Sequence, residues 1–283
     1  GRSVANAHTT FKIIEVLFMF PCTPLVVALT EKIIPGEDQK VHHNELQYIT
    51  EISLKSPATM IPQAKNELKR MADMAQENLD RSIKGFLNQS DEYLNKIYHR
   101  EEDINNVSHA ITDYLVKSNQ LSLPLADQKI LGSMFYVVND IERIGDHAEN
   151  FADYTKTELK HNTGLTGDAK EEIKKMYEAV SKLLKLSLES FMAQDGVNTQ
   201  EDKLAEIAAL EASIDKMERR YQKHHIKRLA KGDCEPRAGL LFSDMLSELE
   251  RIADHSVNIA YSMSDEDEDE MLAAENEALA TNN

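Results

Sequence analysis

Tryptophan is absent from the 283 residues, and proline and glycine are sparse at seven and ten. Few helix breakers among abundant Ala, Leu, Glu, Lys and Met exclude a turn-rich β architecture and favour helices. Only two cysteines occur, Cys22 and Cys234, with no CxxC pair, so a disulfide framework and a thiolate zinc site are both excluded. No GxSxG, Walker-type or Rossmann glycine pattern is present. Positive charge is short too. The formal net charge of -17 repels phosphate backbones and argues against nucleic-acid binding.

One apolar run stands apart, from Phe11 to Pro35, densest between Ile13 and Leu29. It is roughly the length needed to cross a hydrocarbon core, about 20 residues. The expectation is a membrane-type helix kinked by Pro21 and Pro24. The chain begins at Gly1 rather than Met, which suggests a longer polypeptide upstream. Residues 36–61 read as a linker, with Ser56-Pro57 and Ile61-Pro62 limiting helix.

After Pro62 the periodicity predicts helices over about 63–87, 92–117, 125–159, 167–194, 200–231 and 236–263, with Pro236 at a first turn and Gly164 and Gly232 at helix ends. These six fall into two sets of three, about 62–160 and 167–263. Glu101-Glu102-Asp103-Ile104-Asn105 aligns with Glu211-Ala212-Ser213-Ile214-Asp215. Glu142-Arg143-Ile144-Gly145-Asp146-His147 aligns with Glu250-Arg251-Ile252-Ala253-Asp254-His255. Four segments agreeing in order indicate an internal duplication. The expected fold is all-α, with two tandem three-helix bundles. Residues 264–283 open with six consecutive acids, Asp265 to Glu270, which predicts a disordered tail.

The acids of the duplicated motifs fall on apolar faces. Leu94, Ile97, Ile104, Ser108 and Leu115 project near Glu101 at helical spacing, and Glu142, Glu211 and Glu250 repeat the pattern. A buried carboxylate costs several kcal/mol, roughly, unless paired or bound to a cation. Facing helices would bring such groups together, as in carboxylate-bridged bundles. The i+3 places hold no histidine, so ligation would be by oxygen alone, which favours magnesium, calcium, manganese or ferric iron over zinc. The competing reading is a buried ion-pair architecture using Arg143 and Arg251. His147 and His255 project off the stripe and read as surface or capping residues. Cys234 has no partner constellation, the group His224-His225-Ile226-Lys227-Arg228 reads as a solvated face, and the methionines read as core filler.

The two copies Asp140-Ile141-Glu142-Arg143-Ile144-Gly145-Asp146 and Glu248-Leu249-Glu250-Arg251-Ile252-Ala253-Asp254 resemble the PhoU family over about Pro62 to Met263. That resemblance implies metal binding at Glu101, Asn105, Glu142, Asp146, Glu211, Asp215, Glu250 and Asp254, with Asn105 departing from an expected Asp. The implied ion is a divalent or trivalent metal: magnesium, manganese, iron or zinc. The stretch Gly1 to Phe11, Pro57-Ala58-Thr59-Met60 and Lys69-Arg70-Met71-Ala72 also resemble bacterial sodium/phosphate cotransporters. Together the resemblances imply a regulatory, non-enzymatic domain at the C-terminus of such a transporter. The implied partners are the membrane, sodium and inorganic phosphate through the upstream part, and a second copy in a homodimer. The implied location is the bacterial inner membrane, with the helical domain cytoplasmic. The alternatives are a signalling adaptor that regulates a separate transporter or kinase, and a metal-dependent hydrolase.

Overall fold

The computed structural model describes residues 11, 46–50, 57–161, 165–193 and 197–262. By its contacts the chain divides into Gly1–His42 and His43–Asn283, and the helices treated below all belong to the second unit. The apolar run Ile13–Leu29 and the acidic run Asp265–Glu270 lie outside the described residues, so the membrane-helix and disordered-tail expectations fall there. Among the described residues no helix is long and apolar enough to cross a membrane.

Among the described residues of the second unit six α-helices follow one another: α1 (Pro57–Leu87), α2 (Leu94–Asn119), α3 (Leu125–His161), α4 (Gly167–Met192), α5 (Val197–Lys231) and α6 (Pro236–Tyr261). The all-α expectation holds, with corrections at the ends. Helix α1 begins at Pro57 instead of near Gln63, and Pro62 lies within it. A proline at the start of a helix forfeits an N–H that has no intrahelical partner anyway, so Pro57 begins the helix rather than blocking it. Helix α4 opens on Thr166, whose side chain accepts from the Ala169 N–H. Gly232 stops α5 with a φ of +76°, a conformation that a Cβ would strain.

Helix α1 packs against α2 and α3, and α4 packs against α5 and α6. The two bundles repeat in register. Met60, Ala64, Leu68, Met71 and Phe86 of α1 are all buried, and so, at one constant spacing, are Leu165, Ala169, Ile173, Met176 and Phe191. The largest fully buried side chains include Phe86, Phe151 and Phe242. Each such ring contributes roughly 1.5–3 kcal/mol over an exposed position.

The bundles meet through α3 against α6 and α1 against α4. Both pairs run antiparallel. On α1–α4, Lys65 Nζ donates to the Phe191 carbonyl at 3.1 Å, and Gln76 Nε2 donates to Ser181 Oγ at 3.3 Å. On α3–α6, His147 pairs with Glu248 while His255 pairs with Asp140. The six described helices therefore carry an approximate internal twofold, as expected when a duplicated unit buries the same face against its copy.

Candidate functional site

Helices α2 and α3 project one set of acids, and α5 and α6 project the other. In the first repeat Glu101 is buried on α2 among Ile97, Ile104 and Ser108. The Asn105 amide donates to Glu101, and Ser108 Oγ donates to Glu142 on α3. Asp146 and Glu149 follow on the same helix. Tyr98 OH donates to Asp153 Oδ1 at 2.7 Å and carries the Lys156 ammonium 4.0 Å over its ring. In the second repeat Glu211, Asp215 and Glu218 on α5 face Glu250 and Asp254 on α6.

The charges in each set feel one another across the helix pair. Burial pushes the Glu101 carboxyl above its ordinary range, and Glu149, Asp146 and Glu142 push it further. Burial likewise raises Asp146 and Glu149, with Arg143 opposing at Asp146 and Asp153 adding at Glu149. In the second set burial raises Glu211, Glu218, Glu250 and Asp254. Asp215 adds to all four, and Asp254 adds to Glu211, Glu218 and Glu250. Cations give only partial relief. Arg143 Nη1 meets Asp146 Oδ2 and Arg219 Nη1 meets Asp215 Oδ2, both at 3.3 Å and both from exposed arginines. Exposed pairs of that kind contribute little, about 0–1 kcal/mol.

The depth of these acids differs from the sequence expectation. Of the eight residues, Glu101 alone is buried. Asn105, Glu142, Asp146, Glu211, Asp215 and Glu250 are half-buried, and Asp254 is exposed. They occupy the rim between apolar stripe and solvent, because the neighbouring helix covers only part of each acid's face. Arg143 and Arg251 are exposed on α3 and α6, so they do not form the buried ion-pair network weighed from sequence. Among the described residues no group of three His, Cys, Asp or Glu side chains stands ready to hold one metal ion. The donor chemistry nonetheless fits a hard cation. The set is oxygen throughout and anionic except at Asn105, its charge is mutually repulsive, and Asn105 Oδ1 is buried with no hydrogen-bond partner.

The histidines are a clear correction. His147 is buried, its Nδ1 on Glu248 Oε2, and His255 Nδ1 stands 2.8 Å from Asp140 Oδ1. The two rings lie 5.6 Å apart. Asn150 Nδ2 donates to Glu248 Oε2 at 3.1 Å, and Asn258 Nδ2 reaches Asp140 Oδ1 at 3.4 Å. Burial opposes the charge on Glu248, but hydrogen bonds from His147 and Asn150 hold its carboxyl below the usual range. The two histidines join the repeats and do not act as surface or capping groups. The sequence reading places both histidines at the surface, although acid, histidine and asparagine recur at matching places in both copies. Polar residues retained in both halves but off the carboxylate stripe were the available signal.

The PhoU domain model matches residues 68–155 and 173–263. The chain is 20% identical over 196 residues to the phosphate-specific transport system accessory protein PhoU homolog 1 of Thermotoga maritima, covering 69% of this chain and 82% of that protein. It is 23% identical over 199 residues to the PhoU homolog of Clostridium acetobutylicum, covering 70% and 87%. In structure it is similar to PhoU from Pseudomonas aeruginosa, at a TM-score of 0.64 and 19% identity, covering 72% of this chain and 95% of that one. The phosphate transport system regulatory protein PhoU from Streptococcus pneumoniae gives 0.62 and 20%, covering 72% and 92%. These matches overturn the expected location in the inner membrane. The relatives are named as accessory proteins of a phosphate transport system and are matched over most of their length. The paired family match and the twofold-repeated six-helix architecture together establish that this chain belongs to the PhoU domain family.

Proposed function

We propose that the protein is a PhoU-type accessory regulator of phosphate transport, an adaptor that acts on a separate transporter or signalling protein and catalyses no reaction itself. The observation that carries this reading is the coverage. The six-helix bundle spans most of the length of relatives named as phosphate transport accessory proteins. The expectation of a cytoplasmic domain fused to a sodium cotransporter gives way to the adaptor, since neither relative is named for sodium symport.

The carboxylate clusters serve this role as sites for hard cations. Glu101, Glu142, Asp146 and the amide oxygen of Asn105 would hold an ion in the first repeat, and Glu211, Asp215, Glu250 and Asp254 in the second. A bound ion supplies positive charge that cancels their repulsion and draws α2 onto α3 and α5 onto α6. The i,i+4 spacing presents both members of each motif toward the partner helix, and the apolar residues beneath exclude water from one side. A homodimer that extends the twofold architecture belongs to the same proposal.

Deleting the gene in its host and following labelled phosphate uptake in phosphate-rich medium tests the regulatory role. Uptake should rise or lose its response to external phosphate, and the intact gene should restore control. Uptake and phosphate response unchanged by the deletion would remove the proposal.

A further inference from the structure

The internal duplication exposes a difference between two equivalent grooves. In the first repeat residues 46–50 lie along the bundle as a strap. Ile49 is buried in the core, Leu46 packs against it, and Glu67 of α1 holds the strap by its backbone. Glu67 Oε2 accepts from the N–H of Gln47 at 2.9 Å and of Tyr48 at 2.7 Å, and its other oxygen accepts from Arg70 Nε.

At the constant spacing that aligns the two cores, the place of Glu67 is taken by Glu172 of α4. The register that aligns Glu101 with Glu211 puts His224 and Arg228 where the first repeat has Tyr114 and Ser118. Here no described strap crosses the groove. It is an open cleft of about 440 Å³ between α4 and α5. The reason is the connection. Only five residues separate α3 from α4, too few to run back along the groove as the chain ahead of α1 does.

The walls of the cleft are charged side chains of both signs. Glu172 is held by His224 Nδ1 at 2.7 Å and Arg228 Nη2 at 2.8 Å, leaving acceptor capacity on both oxygens. Arg228 Nε is buried without a hydrogen-bond partner. Lys227 and Lys231 line the rim and form no ion pair among the described residues. Asp168 and Asp233 also line it, so a small free anion would meet carboxylates as well as amines. A polypeptide segment offers what the walls lack: N–H donors for Glu172, carbonyl acceptors for Arg228, and spaced acids for the two lysines.

We propose that the α4–α5 cleft is a docking site for an extended, acid-flanked segment of a partner polypeptide, its backbone held at Glu172 as Glu67 holds the strap in the first repeat. The chain's own strap is flanked by acids in this way in sequence, Glu45-Leu46-Gln47-Tyr48-Ile49-Thr50-Glu51. The proposal does not depend on the cation clusters or on a role in phosphate transport.

A fluorescein-labelled peptide of the sequence Asn44–Ile52, added to the full chain at low salt, tests the site by anisotropy. The expected result is saturable binding of one equivalent, weakened about tenfold or more by K227E/K231E as the rim charges are reversed. The variant K96E/K185E, which reverses exposed lysines elsewhere, should stay within about twofold. A peptide with both glutamates changed to lysine should bind more weakly. Glu67→Gln, which loosens the strap, should leave this site intact and open a second one. Four outcomes would each overturn the proposal: no binding, equal weakening by both lysine variants, loss of binding in Glu67→Gln alone, or full displacement by inorganic phosphate in large excess.

Discussion

The imidazole of His255 on α6 stands 2.8 Å from the carboxylate of Asp140 on α3, and the same arrangement recurs with roles exchanged between His147 and Glu248. Each histidine, the residue directly after its own motif's aspartate, thus reaches out of its own repeat to the acid of the other. Such a reciprocal clasp fixes the register of α3 on α6, because a slip by one turn would strand four polar groups at once.

The clasp should therefore be energetically coupled. In urea unfolding at neutral pH, His255→Ala and Asp140→Ala should each destabilise, with an interaction energy of roughly 0.5–3 kcal/mol in the double-mutant cycle. Strictly additive losses would show that the pair is a contact without consequence.

The acid clusters set the pH dependence. Glu101, Asp146, Glu149, Glu211, Glu218, Glu250 and Asp254 have folded pKa values raised above their unfolded ones. Their cost is present at high pH and is relieved as pH falls through the raised values. Glu248 is depressed and works the other way, its contribution vanishing as pH falls through its folded pKa. Buried His225, its imidazole lowered by burial and by Arg228, also opposes acidification, but seven raised acids outweigh these two groups, so the melting temperature in low salt should climb from pH 7.5 to about pH 5 and turn over below about pH 4. A monotonic fall on acidification would contradict this balance.

Cations should substitute for protons. Calorimetric melting of metal-stripped protein at pH 7.5 should show stabilisation by magnesium, manganese, iron or zinc, and less of it at pH 5. The paired change Glu250→Gln and Asp254→Asn should raise the metal-free melting temperature by about 1–4 °C while reducing the cation-dependent gain. Identical melts with and without every ion would remove the cation role and leave only mutual repulsion.

Two glycines test the packing. A Cβ on Gly239 would lie 2.5 Å from the ring of His225, which is buried against Phe242. Gly239→Ala should cost about 1–3 kcal/mol. A Cβ on Gly145 would meet Ile104 Cγ2 at 3.3 Å, and the second repeat already carries Ala253 at that place. Gly145→Ala should fall within about 1 kcal/mol of the parent, since helix propensity offsets the tighter contact. Denaturant midpoints that reverse this order would show that the helix pairs are spaced differently.

Much of the fold was legible because it rests on local rules. The helices, their order and the duplication follow from 3.6-residue periodicity and from matched segments such as Glu142-Arg143-Ile144 and Glu250-Arg251-Ile252. The acids were found on the right helix faces for the same reason. Their depth was not legible. Asp254 shares its face with Leu246 and Val257 yet is exposed, because coverage depends on how far α5 extends over α6. The helical start at Pro57 departs from the expectation because proline reads as a breaker, although at a first turn its missing N–H has no intrahelical partner to lose.

The sequence by itself determined the helices, the twofold repeat and the existence of two carboxylate sets, all of which are set by side chains near one another along the chain. Tertiary structure alone decided that His147 and His255 clasp the repeats, that Glu67 binds a strap while Glu172 faces an open cleft, and that the acids sit at the rim. Those facts depend on which helices meet and at what register, and groups about a hundred residues apart carry no local signature of their meeting.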